Sequence, residues 1–71
     1  MIKNSPADFT NWQVLVLAKS HPGARISDLV GIAKGEMPDF AWTYDKIRNA
    51  ATRLSRDGRV EVEGARLWPI L

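Results

Sequence analysis

Residues Thr43 to Gly58, TYDKIRNAATRLSRDG, decide the fold of this 71-residue chain. At about 100° per residue, Ile47, Ala50, Ala51 and Leu54 fall on one stripe, with Tyr44 at its edge, as in an amphipathic helix. Lys46, Asn49, Thr52, Arg53 and Arg56 fall roughly opposite. Such a helix docks through its apolar stripe and presents Lys, Asn, Thr and Arg outward. A DNA major groove accepts those side chains: Arg and Lys pair with guanine edges or phosphates, and Asn pairs with adenine through two hydrogen bonds. The competing reading is a solvated face whose charges only keep the protein soluble. Thr43 fits the N-cap, and Trp42 and Ile47 then fill the two positions of a hydrophobic staple that sets the helix's entry angle.

Upstream, Ser5 as N-cap, Pro6 at the first helical position and Asp8 in the first turn open a helix that runs to Ser20. His21-Pro22-Gly23 stops it. Phe9, Trp12, Leu15, Val16 and Lys19 mark one face, and Val14, Leu17 and Ala18 widen the apolar arc. A helix so broadly apolar is expected at the centre, contacted from more than one side, with Trp12 packed inside. Ala24-Arg25-Ile26 reads as a brief extended piece. Ser27 is then a second N-cap candidate, before a short helix over 28–34 with Leu29, Ile32 and Ala33 inward and Gly35 as its left-handed end. The link from Glu36 to Trp42 carries Met37, Phe40 and Trp42, so it is expected to fold over the core.

Beyond Gly58 the period changes to two. Arg59-Val60-Glu61-Val62-Glu63 alternates, Gly64 marks a turn, and Ala65 to Ile70 returns as a second strand, giving a hairpin over about 59–70. A two-residue loop at Glu63-Gly64 pairs Val62 with Ala65, Glu61 with Arg66 and Val60 with Leu67, and the Glu61–Arg66 salt pair favours it. A longer loop including Ala65 is the alternative. The apolar end, with Trp68, Ile70 and Leu71, is either a strand and tail covering the core or a homodimer contact.

Composition narrows the function. A chain of this length holds one modest core, read as a single domain over 1–71. With 45% hydrophobic and 25% charged residues it is globular rather than disordered. The absence of cysteine removes disulfides, thiol nucleophiles and zinc–thiolate sites. No apolar run is long enough for a membrane span or a signal peptide, so a cytoplasmic protein is expected. The carboxylates are scattered and His21 stands alone. No catalytic group, metal site or cofactor is therefore expected, and the chain is read as a non-enzyme. The formal charge of +2 is small, yet residues 1–42 balance to zero and the surplus sits in 43–59, which points to a polyanion.

The stretches WQVLVLAKSHPGARISDLVG and YDKIRNAATRLSRDGRVEVEG together resemble the winged helix-turn-helix superfamily. The first looks like that family's first helix, small strand and second helix, and the second like its third helix running into the wing. The likeness covers about Phe9 to Trp68. It implies an α+β, mostly α fold: a three-helix winged helix-turn-helix core with a C-terminal two-stranded β-hairpin, and the third helix over about 43–57. It further implies a double-stranded DNA partner, with the third helix in the major groove.

By position, Lys46, Asn49 and Arg53 become base-facing candidates, with Thr52 on the same face. Thr43, Tyr44 and the helix's free amides could hold a phosphate, while Arg48, Arg56 and Arg59 flank as phosphate contacts. Two departures stand out. Asp45 shares the reading face, and the wing offers Glu61 and Glu63 where family wings usually offer Lys or Arg. The expectation is a transcriptional regulator or a phage- or mobile-element-type control factor. The alternative is a protein-interaction module docking a protein partner through the acidic hairpin or the apolar terminus.

Overall fold

The computed structural model describes residues 6–70, so the expected Ser5 cap and Leu71 lie outside the described residues. The order is α1 (Pro6–Ser20), β1 (Ala24–Arg25), α2 (Ile26–Glu36), α3 (Tyr44–Arg56), β2 (Val60–Glu63) and β3 (Arg66–Pro69). The fold is α+β and mostly α, with a C-terminal hairpin. The expected brief extended piece is a true strand. β1 pairs antiparallel with β3, so the sheet has three strands in the order β1-β3-β2.

The third helix forms as its local signals dictate. Thr43 is extended (φ −135°, ψ 160°) and its Oγ1 accepts from the Lys46 amide at 3.2 Å, a cap at the third helical residue. Trp42 and Ile47, the staple pair, are both buried. At the other end, Gly58 (φ 74°) donates to the Ser55 carbonyl, and the Arg59 amide donates back to Leu54. These two bonds are the Schellman pattern, which ends a helix and hands the chain to the following strand.

α3, not α1, is the hub, touching α1, α2 and β2. The inward face of α1 also differs from expectation. Thr10, Val14, Leu15, Leu17 and Ala18 are buried, whereas Phe9, Trp12 and Val16 face outward. Trp12 is 61% exposed, so it is not a core residue. α1 packs on α3, and the buried residues of both helices include small ones (Ala18, Ala50 and Ala51), so the interior has less room for an indole than the sequence pattern suggested. The core is completed by Ile26, Leu29, Ala33, Leu54, Val60 and Leu67, with Met37 and Phe40 folded over it as expected.

α2 is longer at both ends than the 28–34 helix read from sequence. Its N-cap is Arg25, not Ser27, and no side chain caps it. Ile26 starts the helix because its side chain is buried and its amide is taken by the Ala65 carbonyl at 2.8 Å. Gly35 is not left-handed. The helix continues to Glu36, where the Met37 amide bonds Ala33 and the Met37 side chain packs on the core.

The hairpin loop is Gly64-Ala65, not Glu63-Gly64. Val62 therefore opposes Leu67, Glu63 opposes Arg66, and Glu61 opposes Trp68. The cause is local. Gly64 has φ 62° and no other residue type among those described has a positive φ, so the glycine stands first in a two-residue loop, as in a type II′ turn. The sequence-derived register would instead place Glu63 there. The Glu61–Arg66 salt pair does not form, because Arg66 donates to the Gly23 carbonyl at 2.8 Å.

At the end of α1, the Ala24 amide bonds the His21 carbonyl at 3.1 Å. Pro22 and Gly23 (φ 78°) occupy the central positions, the residue pattern of a type II turn. The Gly23 amide then bonds Leu67, and the Trp68 ring lies directly over Gly23.

Candidate nucleic-acid interface

The outward face of α3 is built by subtraction: whatever is not taken up by the core or by neighbouring segments is presented. Ile47, Ala50, Ala51 and Leu54 are buried, which locks the helix against the body of the molecule. Asp45, Lys46, Arg48, Asn49, Thr52, Ser55 and Arg56 are exposed. Their environments are not alike.

Lys46 is tethered. Its Nζ donates to the Ala41 carbonyl at 2.6 Å and lies 4.9 Å from the centre of the Phe40 ring. Phe40 in turn stacks at 5.2 Å on Phe9 and 4.6 Å on Trp42, so the ammonium closes an aromatic cluster over the α2–α3 link. Arg53 is tethered as well. It is half-buried, and its Nε donates to Oδ1 of Asn11 on α1 at 3.0 Å. The Thr52 hydroxyl donates to the Arg48 carbonyl one turn back at 3.0 Å, which leaves its lone pairs outward. The Thr43 hydroxyl serves as the helix cap and Tyr44 stands exposed beside it.

Arg48, Asn49 and Arg56 are the opposite case. Their side chains are exposed and make no hydrogen bond or ion pair with any described residue. They lie on adjoining rows of one helix face, with Thr52 between them. A planar amide flanked by two guanidinium groups can accept and donate to a base edge while the cations meet phosphates on either side. Asp45, also exposed, lies one turn before Asn49 and sets an anion on the same face.

Arg59 sits apart from this row. It follows the end of α3 and lines a hollow with Trp12, while its carbonyl accepts from the Ile70 amide. Glu61 and Glu63 are exposed on the hairpin. Asn11 is the participant that sequence reasoning missed. Its role depends on a contact 42 residues away, and no local pattern marks it.

Among the described residues no helix is long and apolar enough to cross a membrane, and no three metal-ligating side chains gather. No family model matches the sequence, and neither the curated proteins nor the solved structures contain a match.

Proposed function

We propose that this chain is a small double-stranded DNA-binding protein of the winged helix-turn-helix type, acting as a transcriptional regulator or a phage- or mobile-element-type control factor. The observation that carries the reading is the row Arg48, Asn49 and Arg56: polar, exposed, unpartnered and mounted on a helix whose other face is buried. Polar side chains without internal partners are available to an outside one, and the buried face of α3 fixes the backbone that carries them. The element order and the β1-β3-β2 sheet support the winged assignment.

In this reading Asn49 contacts a base edge, and Arg48 and Arg56 straddle it on phosphates. Lys46 and Arg53 stiffen the reading helix rather than meet the groove, because each is already bound within the chain. The decisive experiment is fluorescence anisotropy with labelled duplexes of random and selected sequence, starting at low salt. Binding that weakens with salt and loses sequence preference in Asn49→Ala supports the proposal. Failure to bind any duplex at low salt overturns it.

The second reading is a protein-interaction module of the same architecture. It is favoured by Glu61 and Glu63, which project from the hairpin without a cationic partner because Arg66 is turned to Gly23. A basic partner surface would suit them. Tighter duplex binding after Glu61→Lys and Glu63→Lys, with a steeper salt slope, places the hairpin near DNA and argues against that module.

A further inference from the structure

Trp12 is the most exposed of the large apolar side chains among the described residues, and it is carried on the middle of a helix. Beside it, between α1, the end of α3 and the start of the hairpin, lies a hollow of about 210 Å³. Its walls are Asn11, Trp12, Leu15, Leu54, Asp57 and Arg59. Small-molecule sites usually run to about 300–1,000 Å³, so this hollow has the size of a side-chain socket instead. A projecting indole and a socket thus share one surface.

We propose that this surface is a two-fold interface with a second copy of the chain, in which Trp12 of each copy enters the hollow of the other. The rim charges select that occupant. Asp57 and Arg59 are both exposed, and neither side chain has a hydrogen-bond or ion-pair partner among the described residues. An acidic partner is repelled by Asp57 and a basic one by Arg59. A two-fold contact requires a self-complementary patch, and rotation brings Asp57 of one copy to Arg59 of the other. Val16, one turn beyond Trp12, and Ile70, hydrogen-bonded through its amide to Arg59, add exposed apolar area at the edge. Tryptophan is enriched among energetic hot spots, which sit in well-packed pockets. The contact lies on the Asp57 flank of α3, about a quarter turn from Asn49 and Arg56, so it leaves the reading row free.

The test is sedimentation velocity of the full chain without DNA, so its outcome is independent of the proposed function. A concentration-dependent dimer is expected, weakened at least about tenfold by Trp12→Ala. Asp57→Arg and Arg59→Asp each weaken it too, and the double exchange restores it. Far-UV circular dichroism checks the fold of every variant, and the charge exchange carries the test alone if Trp12→Ala unfolds. A chain that stays monomeric at about 1 mM, where even weak contacts form, overturns the proposal. So does a dimer indifferent to these changes, or one dissolved only by Trp68→Ala or Ile70→Ala.

Discussion

Gly23 answers two demands at once: a φ of +78° and the Trp68 ring, whose nearest atom would stand 2.5 Å from an added Cβ. Gly64 answers only the first, with φ 62° and open space around it. Gly64→Ala is therefore expected to cost about 1–2 kcal/mol in urea unfolding, the penalty of a left-handed non-glycine residue. Gly23→Ala is expected to cost more than Gly64→Ala, because the indole must also move. Adding Trp68→Ala to Gly23→Ala should recover the excess, whereas adding it to Gly64→Ala should only destabilise further.

Arg53 makes a second residue-scale case. Its hydrogen bond to Asn11 predicts that Asn11→Ala and Arg53→Ala each lower stability by about 1 kcal/mol, with a coupling of at least about 0.5 kcal/mol in the double mutant. Strict additivity would show that the two side chains do not act together.

At the scale of the element, α3 depends on its cap. Thr43→Ala removes the acceptor for the Lys46 amide and is expected to cost about 0.5–2 kcal/mol, against only a few tenths for Thr43→Gly, measured by thermal unfolding. This helix was almost wholly legible in the sequence, because cap, staple, apolar period and terminal glycine are all local signals. α1 was less so. Its residues are apolar around most of the circumference, so its own periodicity cannot report which arc meets α3. The hairpin was legible as a hairpin and misread by one residue, since Gly64 suits either central position until φ fixes it first. Among the site residues, Arg48 entered only through the winged-helix resemblance, whereas the exposure of Asn49 and Arg56 followed from helical angle. The tethering of Lys46 and Arg53 did not, because Ala41 and Asn11 become their neighbours only once the chain has folded.

For the whole molecule, the cations that α3 can offer a polyanion are few, because Lys46 and Arg53 are held within the chain. On the proposed DNA-binding reading, Arg48 and Arg56 would neutralise about two phosphates per chain. With about 0.9 counterions released per phosphate, the slope of log K against log salt is expected near −2 per bound chain. A slope of about −4 or steeper would mean that Lys46 and Arg53 leave their internal partners on binding. Anisotropy titrations across that salt range separate the two. On the proposed function, so few phosphate contacts make sequence-independent affinity small and leave discrimination to the side chains at the centre of α3.

The strand order has a consequence in time. β3 is central to the sheet yet follows both of its neighbours in the chain, and its bond from Arg66 reaches back 43 residues to Gly23. As the chain emerges from the ribosome, α1, α2 and α3 are all complete before either outer strand has anything to pair with. Until Leu67 arrives, the core lacks one of its fully buried members and the amides of Gly23 and Ile26 lack their acceptors. A chain halted at residue 64 is expected to hold fluctuating helices without a cooperative melting transition. A chain extended through residue 70 is expected to melt cooperatively, because β3 then supplies both outer strands with their partner.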